Sequence, residues 1–278
     1  MIHPLADKGV GTAGSFVCTK FSIDTVVGTE TLIVTAWGLY RAFINGQRVG
    51  ADVLTPGWTN YDARLAFQEY SVANLLVPGA NRIEIWLGEG WFRCPLVWGG
   101  ANLDNVWGDR LGAFAELRRD PAGEVIVATD DSWLSGETPV RKSGIYFGEK
   151  FDARVKPQAD NRVQILDFDQ SVLIAQECRP VQELAELVPI RSWLDAEGRT
   201  IFDFGQNIGG YVAFVGMGEP GARVLLEHAE ILDKDGNFYN VNYRSAEAII
   251  DYTFAGGAVE DYRPTFTFRK RVDEAVTG

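Results

Sequence analysis

LYRAFINGQRVGADVLTPGWTNYDARLAFQ, residues 39–68, decides the fold. Its opening alternates: Leu39, Arg41 and Phe43 fall on one face of an extended chain, and Tyr40, Ala42 and Ile44 on the other. Asn45-Gly46 follows, and this pair tolerates the two positive φ angles that a two-residue type I′ turn requires. The first half therefore reads as a β-hairpin. The second half crowds Trp58, Thr59, Asn60, Tyr61, Asp62 and Arg64 into seven residues. Such a loop has two uses. It packs back on its own sheet, with Trp58 inward and Asp62 paired to Arg64, or it offers aromatic faces and hydrogen-bonding groups to a polar ring such as a sugar.

Strand signals continue outward from this stretch. Residues 31–37 and 81–87 alternate with period two. Three pairs of segments flank turn-forming residues and are expected to be hairpins: 113–119 with 124–129, 189–194 with 199–204, and 211–215 with 222–229. Residues 248–254 and 265–272 add further strands. Helical signals are few: one turn over 71–76 with Ser71 as its cap, and another over 181–187. Many short strands with frequent turn signals predict an all-β protein made of sandwiches. Between residues 154 and 188 the alternation fades, and Pro157, Pro180 and Pro189 fall in or just beyond that stretch. A first module over 16–156, a linker over 157–179 and a second module over 180–268 are expected, with 269–278 as a divergent tail.

Composition excludes several function classes. The 278 residues carry 26 basic and 38 acidic side chains, a net charge of −12, without a Lys/Arg-rich run, so nucleic acid is not an expected partner. No apolar run is long enough to cross a membrane. Cys18, Cys94 and Cys178 are too few and too far apart for a disulfide scaffold or a CxxC metal site. With only His3 and His228, HExxH zinc chemistry is excluded, and a Ser-His-Asp triad would have to use His228. The first residues lack the charged and apolar regions of a signal peptide, which points to a cytoplasmic chain.

Beyond the Trp58–Arg64 loop, four stretches invite a chemical reading. Residues 86–109 make a long loop in which Asp104, Asn105 and Asp109 are plausible oxygen ligands, Asp104 and Asn105 with Asp62 forming a candidate Ca²⁺ set. The alternative is an Ω-loop that covers one end of the sandwich. Glu149 and Asp152 resemble a glycosidase acid/base pair. Arg154, however, stands two residues from Asp152 and would lower its pKa, so an ion pair is expected. Gly205, Gly209 and Gly210 are not followed by GK[ST] and instead suggest a bulge or a close strand approach. Asp233, Asp235 and Asn237 imitate the start of a calcium loop, but Arg244 stands where the bidentate Glu should be, leaving a polar turn. His228 and Glu230 would share one face if they lay on a strand.

Taken in order, these motifs resemble the amino-terminal region of bacterial α-L-rhamnosidases. In the first block they are Ile44-Asn45-Gly46, Leu54-Thr55-Pro56-Gly57-Trp58-Thr59-Asn60-Tyr61, Leu87-Gly88-Glu89-Gly90-Trp91, Asp131-Ser132-Trp133 and Gly148-Glu149. In the second they are Asp203-Phe204-Gly205-Gln206-Asn207, His228-Ala229-Glu230, Asp235-Gly236-Asn237 and Pro264-Thr265-Phe266-Thr267-Phe268. The resemblance covers residues 16 to 268. It implies two β-sandwich modules, the first galactose-binding-like with a jelly-roll form, the second a larger-sheet sandwich. It further implies that in some members the first module binds L-rhamnose with Ca²⁺ assistance. The family hydrolyses terminal α-L-rhamnosides with inversion, using carboxylates on an (α/α)₆ barrel expected to follow this stretch, so the resemblance carries over no catalytic residue. After Phe268 the family's Gly-Phe-Arg-Tyr-like strand is replaced by Arg269-Lys270-Arg271-Val272.

The expectation is thus the non-catalytic amino-terminal portion of an α-L-rhamnosidase-like hydrolase. Trp58, Asn60, Tyr61, Asp62, Arg64, Asp104 and Asn105 are its candidate contacts to an L-rhamnose-containing carbohydrate. Ca²⁺ is a possible but not a required cofactor, and a carboxy-terminal catalytic domain is the implied partner. A free-standing lectin-like protein is one alternative. A complete small glycosidase using Glu230 with Glu149 or Asp152 is another.

Overall fold

The hairpin forms as read. Leu39–Ile44 pairs with Gln47–Arg48, Ile44 opposite Gln47, while Asn45 and Gly46 take φ of 52° and 78°. The computed structural model describes residues 1–98, 101–243 and 246–272. Gly99 and Gly100 of the long loop, Arg244 of the calcium-loop comparison and tail residues 273–278 lie outside the described residues.

Leu39–Ile44 is one strand of a layer that continues through Gly79–Gly88 and Ser15–Ile23 to Leu134–Glu137. The facing layer runs from Leu65–Ser71 through Glu30–Trp37 and Gly112–Arg119 to Ile2–Pro4. Asn161–Ile165 joins the two by pairing with both Leu134–Glu137 and Ile2–Pro4. The alternation seen in the sequence becomes the inside and outside of this sandwich. Val17, Ile83, Ile85, Ala42 and Ile44 point inward from one layer, and Leu32, Val34, Ala36, Ala113, Ala115 and Leu117 from the other. Full burial of each large aliphatic side chain contributes about 1.5–3 kcal/mol. Trp133 is sealed in the same core, its indole nitrogen donating to the Ala128 carbonyl at 3.0 Å.

The structure departs from the sequence expectations at residues 157–179, 71–76 and 181–187. Residues 157–179 carry two strands of the first module. One is Asn161–Ile165; the other is Leu173–Ala175, which runs parallel to Leu65–Ser71. Only Val163 of the first is buried, and a parallel edge strand needs no turn beside it, so neither leaves a local signal. The 3₁₀ turn is Ala73–Leu75, with buried Val72 and not Ser71 at the cap position and no side-chain cap bond. Residues 181–187 form no helix. Val181–Gln182 pairs with Asp52–Val53, Gln182 Nε2 donates to Asp52 Oδ1 at 2.8 Å, and Leu184 stays exposed.

The second module begins inside the first. Gly148–Asp152 pairs with Val140–Gly144 on one side and, in parallel, with Ile249–Thr253 on the other. Arg223–Glu227 extends this sheet beyond Ile249–Thr253. The hairpin expected for 211–215 with 222–229 does not form, because Phe214–Gly216 pairs with Glu260–Tyr262 instead. Phe214 and Leu226 approach one aromatic cluster, in which Phe214 lies edge-on to Tyr252 at 5.1 Å. The two segments therefore serve different sheets across a shared core, and Gly216 to Gly221 is a crossover. The hairpin Arg191–Leu194 with Thr200–Asp203 forms as expected. Of residues 265–272 only Arg269–Val272 is strand, pairing with Ile208–Gly210 through a register shift that the local glycines permit.

Glu149 fixes how the sheets meet. Its carboxylate, 2% exposed, accepts from Tyr262 Oη at 2.8 Å, Thr265 N at 2.9 Å and Phe266 N at 2.8 Å. Burial pushes its pKa up, and the three donors pull the other way. Phe266, so held, fills the space beside Gly88, where a Cβ would come within 2.4 Å of its ring. It packs with Leu39, Leu54, Val140 and Ile145. Gly148, at φ +94°, lies so close to Ile249 that a Cβ would sit 1.9 Å from its carbonyl oxygen. Removal of the Glu149 carboxylate strands three buried donors, so Glu149→Ala is expected to cost roughly 3–5 kcal/mol in denaturant unfolding, and Tyr262→Phe roughly 1–2 kcal/mol. A Glu149→Ala protein that unfolds at the wild-type midpoint would remove the carboxylate from this role.

Candidate functional site

After Gly79–Gly88 the chain turns through the short helix Gly90–Arg93, which sends two adjacent rings to different places. Phe92 stacks on Trp37 at 5.9 Å and meets Tyr61 edge-on at 5.2 Å. Trp91 stacks instead on Trp58, with centroids 6.1 Å apart and planes 6° off parallel. Tyr61 also meets Trp107 at 5.5 Å. Trp37, Tyr61, Phe92 and Trp107 line a cleft of about 320 Å³, together with Leu166 and Gly108. Asp62, Asp109, Arg110 and Asp167 complete its lining with charge.

The helix also holds one wall of this cleft. Asn105 N donates to the Arg93 carbonyl at 3.1 Å, and Trp107 N to that of Phe92 at 3.3 Å. Arg93 Nη1 donates to the Asp109 carbonyl at 3.2 Å. The buried Arg93 guanidinium also grips both oxygens of buried Asp7, at 2.5 and 3.0 Å, with Glu89 3.6 Å away. Glu89 accepts from Gly11 N at 2.6 Å. Burial pushes the Glu89 carboxyl up to about 7. Arg93 and the Gly11 amide pull it down, and Asp7 and Asp104 push it further up. Burial likewise pushes the Cys94 thiol up to about 12. Trp107 Nε1 is buried and has no hydrogen-bond partner among the described residues.

Of the seven residues singled out in the sequence, Tyr61 and Asp62 line the cleft. Tyr61 is buried, with its hydroxyl on the Gly57 carbonyl at 2.8 Å, and burial raises the phenol. Trp58 does not turn inward; it is 51% exposed. Asp62 and Arg64 form no ion pair: Arg64 reaches Glu177 at 3.4 Å, both well exposed, a contact of little energetic weight. Asn60 shapes the loop, its carbonyl accepting from Ala63 N and Arg64 N at 2.9 and 2.8 Å. Asp104 and Asn105 are exposed and outside the cleft lining, so Asp62, Asp104 and Asn105 do not meet there as a ligand set. Asp109, also read as an oxygen ligand, does line it. Trp37, Phe92, Arg110 and Asp167 were not singled out. Asp167 sits in the presumed linker, and Phe92 differs from its neighbour Trp91 only in the direction the helix gives it.

The other chemical readings resolve as structure. Residues 86–109 are not an Ω-loop, since they hold the short helix and a hairpin of Leu96–Trp98 with Ala101–Leu103. Asp152 is paired with Arg154 at 2.9 and 2.8 Å, and that side-chain bond leads in holding its carboxyl down. Glu149 is enclosed by the Tyr262 hydroxyl and the Thr265 and Phe266 amides, so each carboxylate is held by structural partners of its own. His228 lies just past the end of Arg223–Glu227, its Nδ1 2.6 Å from the Ala248 carbonyl, and the shared-face argument for Glu230 lapses. Asp233 Oδ1 accepts from Asp235 N and Asn237 N at 2.9 and 2.8 Å, the polar turn that was expected. Among the described residues no three His, Cys, Asp or Glu side chains gather as a metal site.

Residues 26–185 match the family model of the α-L-rhamnosidase N-terminal domain, and residues 195–270 that of the bacterial α-L-rhamnosidase concanavalin-like domain. The chain is 35% identical over 267 residues to an α-L-rhamnosidase of Streptomyces avermitilis, covering 91% of this chain and 25% of that protein. To one of an Alteromonas species it is 29% identical over 266 residues, covering 91% and 29%. The native α-L-rhamnosidase of Aspergillus terreus matches with a TM-score of 0.90 at 30% identity, over 98% of this chain and 33% of that one. The Streptomyces avermitilis α-L-rhamnosidase complexed with L-rhamnose matches at 0.84 and 32% identity, over 96% and 27%. The chain thus spans a quarter to a third of the length of these relatives.

The raised Glu89 carboxyl predicts a pH-dependent stability. Its folded value of about 7 lies above the ordinary 4.5, so the folded state binds the extra proton between those limits. The stability this group contributes is present below the lower limit and is lost as pH rises through the upper one. In thermal unfolding from pH 5 to 8, wild type is expected to lose stability relative to Glu89→Gln as pH rises. Parallel profiles would show that Glu89 does not titrate in that window.

Proposed function

Because this chain belongs to the bacterial α-L-rhamnosidase family, we propose that it is the non-catalytic part of a longer hydrolase of terminal α-L-rhamnosides, and that its cleft binds an L-rhamnose unit. The observation that carries this reading is the lining itself. Four aromatic side chains meet two carboxylates of the preferred loops, Asp62 and Asp109, and the guanidinium of Arg110 in one recess. A deoxyhexose has an apolar face and a methyl group to lay on rings, and hydroxyls that donate to carboxylates and accept from a guanidinium. The buried Trp107 Nε1 offers one more donor to a ring or hydroxyl oxygen.

Binding is proposed to need no Ca²⁺, since Asp104 and Asn105 stand outside the recess and no three carboxylates converge among the described residues. The second module serves as a scaffold against the rest of the protein. Leu184, Val188, Ile190 and Leu194 are all more than two-thirds exposed, apolar surface that association would cover. Hydrolysis by this stretch alone is not proposed: Glu149 is enclosed by backbone donors and Asp152 is held by Arg154.

Calorimetry with L-rhamnose tests the cleft. Heat of binding is expected with and without Ca²⁺, reduced about tenfold in affinity, or 1.4 kcal/mol, by Asp62→Ala or Trp107→Ala. The purified chain is expected to turn over no α-L-rhamnoside. The absence of heat under both conditions would reject the sugar-binding reading.

A further inference from the structure

The loop over residues 54–64 and the helix Gly90–Arg93 each divide their aromatic residues between two places. Tyr61 and Phe92 go to the cleft, whereas Trp58 and Trp91 stack on each other outside its lining. This second pair has no part in the sugar reading. Trp58 leaves half of its surface, 51%, in water. Its position is built: Thr55 Oγ1 donates to the Tyr40 carbonyl at 3.1 Å, Tyr40 N to that of Thr55 at 2.8 Å, and Thr59 Oγ1 to that of Arg64 at 2.5 Å. A braced loop that holds an indole against a second indole, with much of it in water, carries the kind of side chain that anchors interfaces.

What covers it is indicated by the third ring of the row. Trp91 meets Phe268 at 6.1 Å, and Phe268 immediately precedes Arg269–Val272, the last strand among the described residues. The described polypeptide ends at Val272, four residues beyond this ring. The relatives are three to four times longer than the stretch matched here, and residues 26–185 of this chain match the family's N-terminal domain model. A segment tethered a few residues away reaches the surface at high effective concentration, with little loop to close.

We propose that Trp58 and Trp91, bordered by Phe268, form the docking surface for the polypeptide that continues this chain in its longer family members. The proposal rests on the reading of this chain as part of a longer hydrolase, and not on the sugar reading of the cleft. The occupant presents an apolar or aromatic group to the outer part of the Trp58 indole.

Hydroxyl-radical footprinting with mass spectrometry tests this on two proteins, the 278-residue chain and the full polypeptide encoded by its gene. Oxidation of Trp58 and Trp91 is expected to fall about tenfold in the full polypeptide, with exposed Val27 as the unchanged reference. Equal oxidation in both proteins would overturn the proposal, as would a gene that ends at residue 278. Protection of Trp58 in the shorter chain by L-rhamnose would overturn it in favour of a sugar platform. Protection that grows with protein concentration would overturn it in favour of a second copy. Trp58→Ala is expected to leave the calorimetric L-rhamnose signal of the cleft unchanged, so loss of that signal in wild type rejects the sugar reading without touching the footprint.

Discussion

A buried carboxylate with three donors sets the arrangement of the whole molecule. Glu149 lies on a strand shared by both modules and gathers the Tyr262 hydroxyl and the Thr265 and Phe266 amides around itself. Without those bonds, residues 263–268 have no sheet partner to hold them, since they lie between Glu260–Tyr262 and Arg269–Val272. With them, Phe266 is driven into the seam beside Gly88, and Phe268 is carried to Trp91. A buried charge is costly unless it is fully bonded. Here the bonding falls on backbone amides that would otherwise be unsatisfied, so two costs cancel each other.

The second charged centre works on a smaller scale. Arg93, Asp7 and Glu89 are all buried, and such groups gain little over an apolar replacement. Their use is geometric. The guanidinium ties the turn at residues 7–11 to the short helix and, through the Asp109 carbonyl, to the loop that walls the cleft. The aromatic floor depends on the same helix, so floor and wall are positioned by one four-residue element.

How much of this was legible depended on whether the information was local. The alternation of residues 39–44 and the Asn45-Gly46 turn state a hairpin within ten residues, and it forms. The crossover at residues 216–221 carries the same turn residues as a hairpin, but its two flanking strands pair with Glu260–Tyr262 and Ile249–Thr253, two different segments further along the chain. Leu173–Ala175 pairs with a strand a hundred residues earlier and has no turn to announce it. In the candidate site, the loop read from the sequence brings Tyr61 and Asp62 to the cleft lining, whereas Trp58 faces water against the inward direction expected of a packed loop. Which of Trp58 and Tyr61 turns inward is set by Phe92 and Trp107, which come from another segment. Asp167 carries no local signal, because the strand before it, Asn161–Ile165, buries only Val163 and shows no alternation.

The parallel pairing of Gly148–Asp152 with Ile249–Thr253 has a consequence for biosynthesis. About a hundred residues separate the partners, so at roughly 5–20 residues per second the first strand leaves the ribosome some 5–20 s before the second. During that interval the edge of Gly148–Asp152 is open, and the carboxylate of Glu149 has none of its three donors. Water can solvate the carboxylate, but an open strand edge invites pairing with the same edge on a neighbouring nascent chain. The ionised Glu149 and Lys150 along that edge then act as a temporary guard, and the charge that is costly in the finished fold is protective on the way to it.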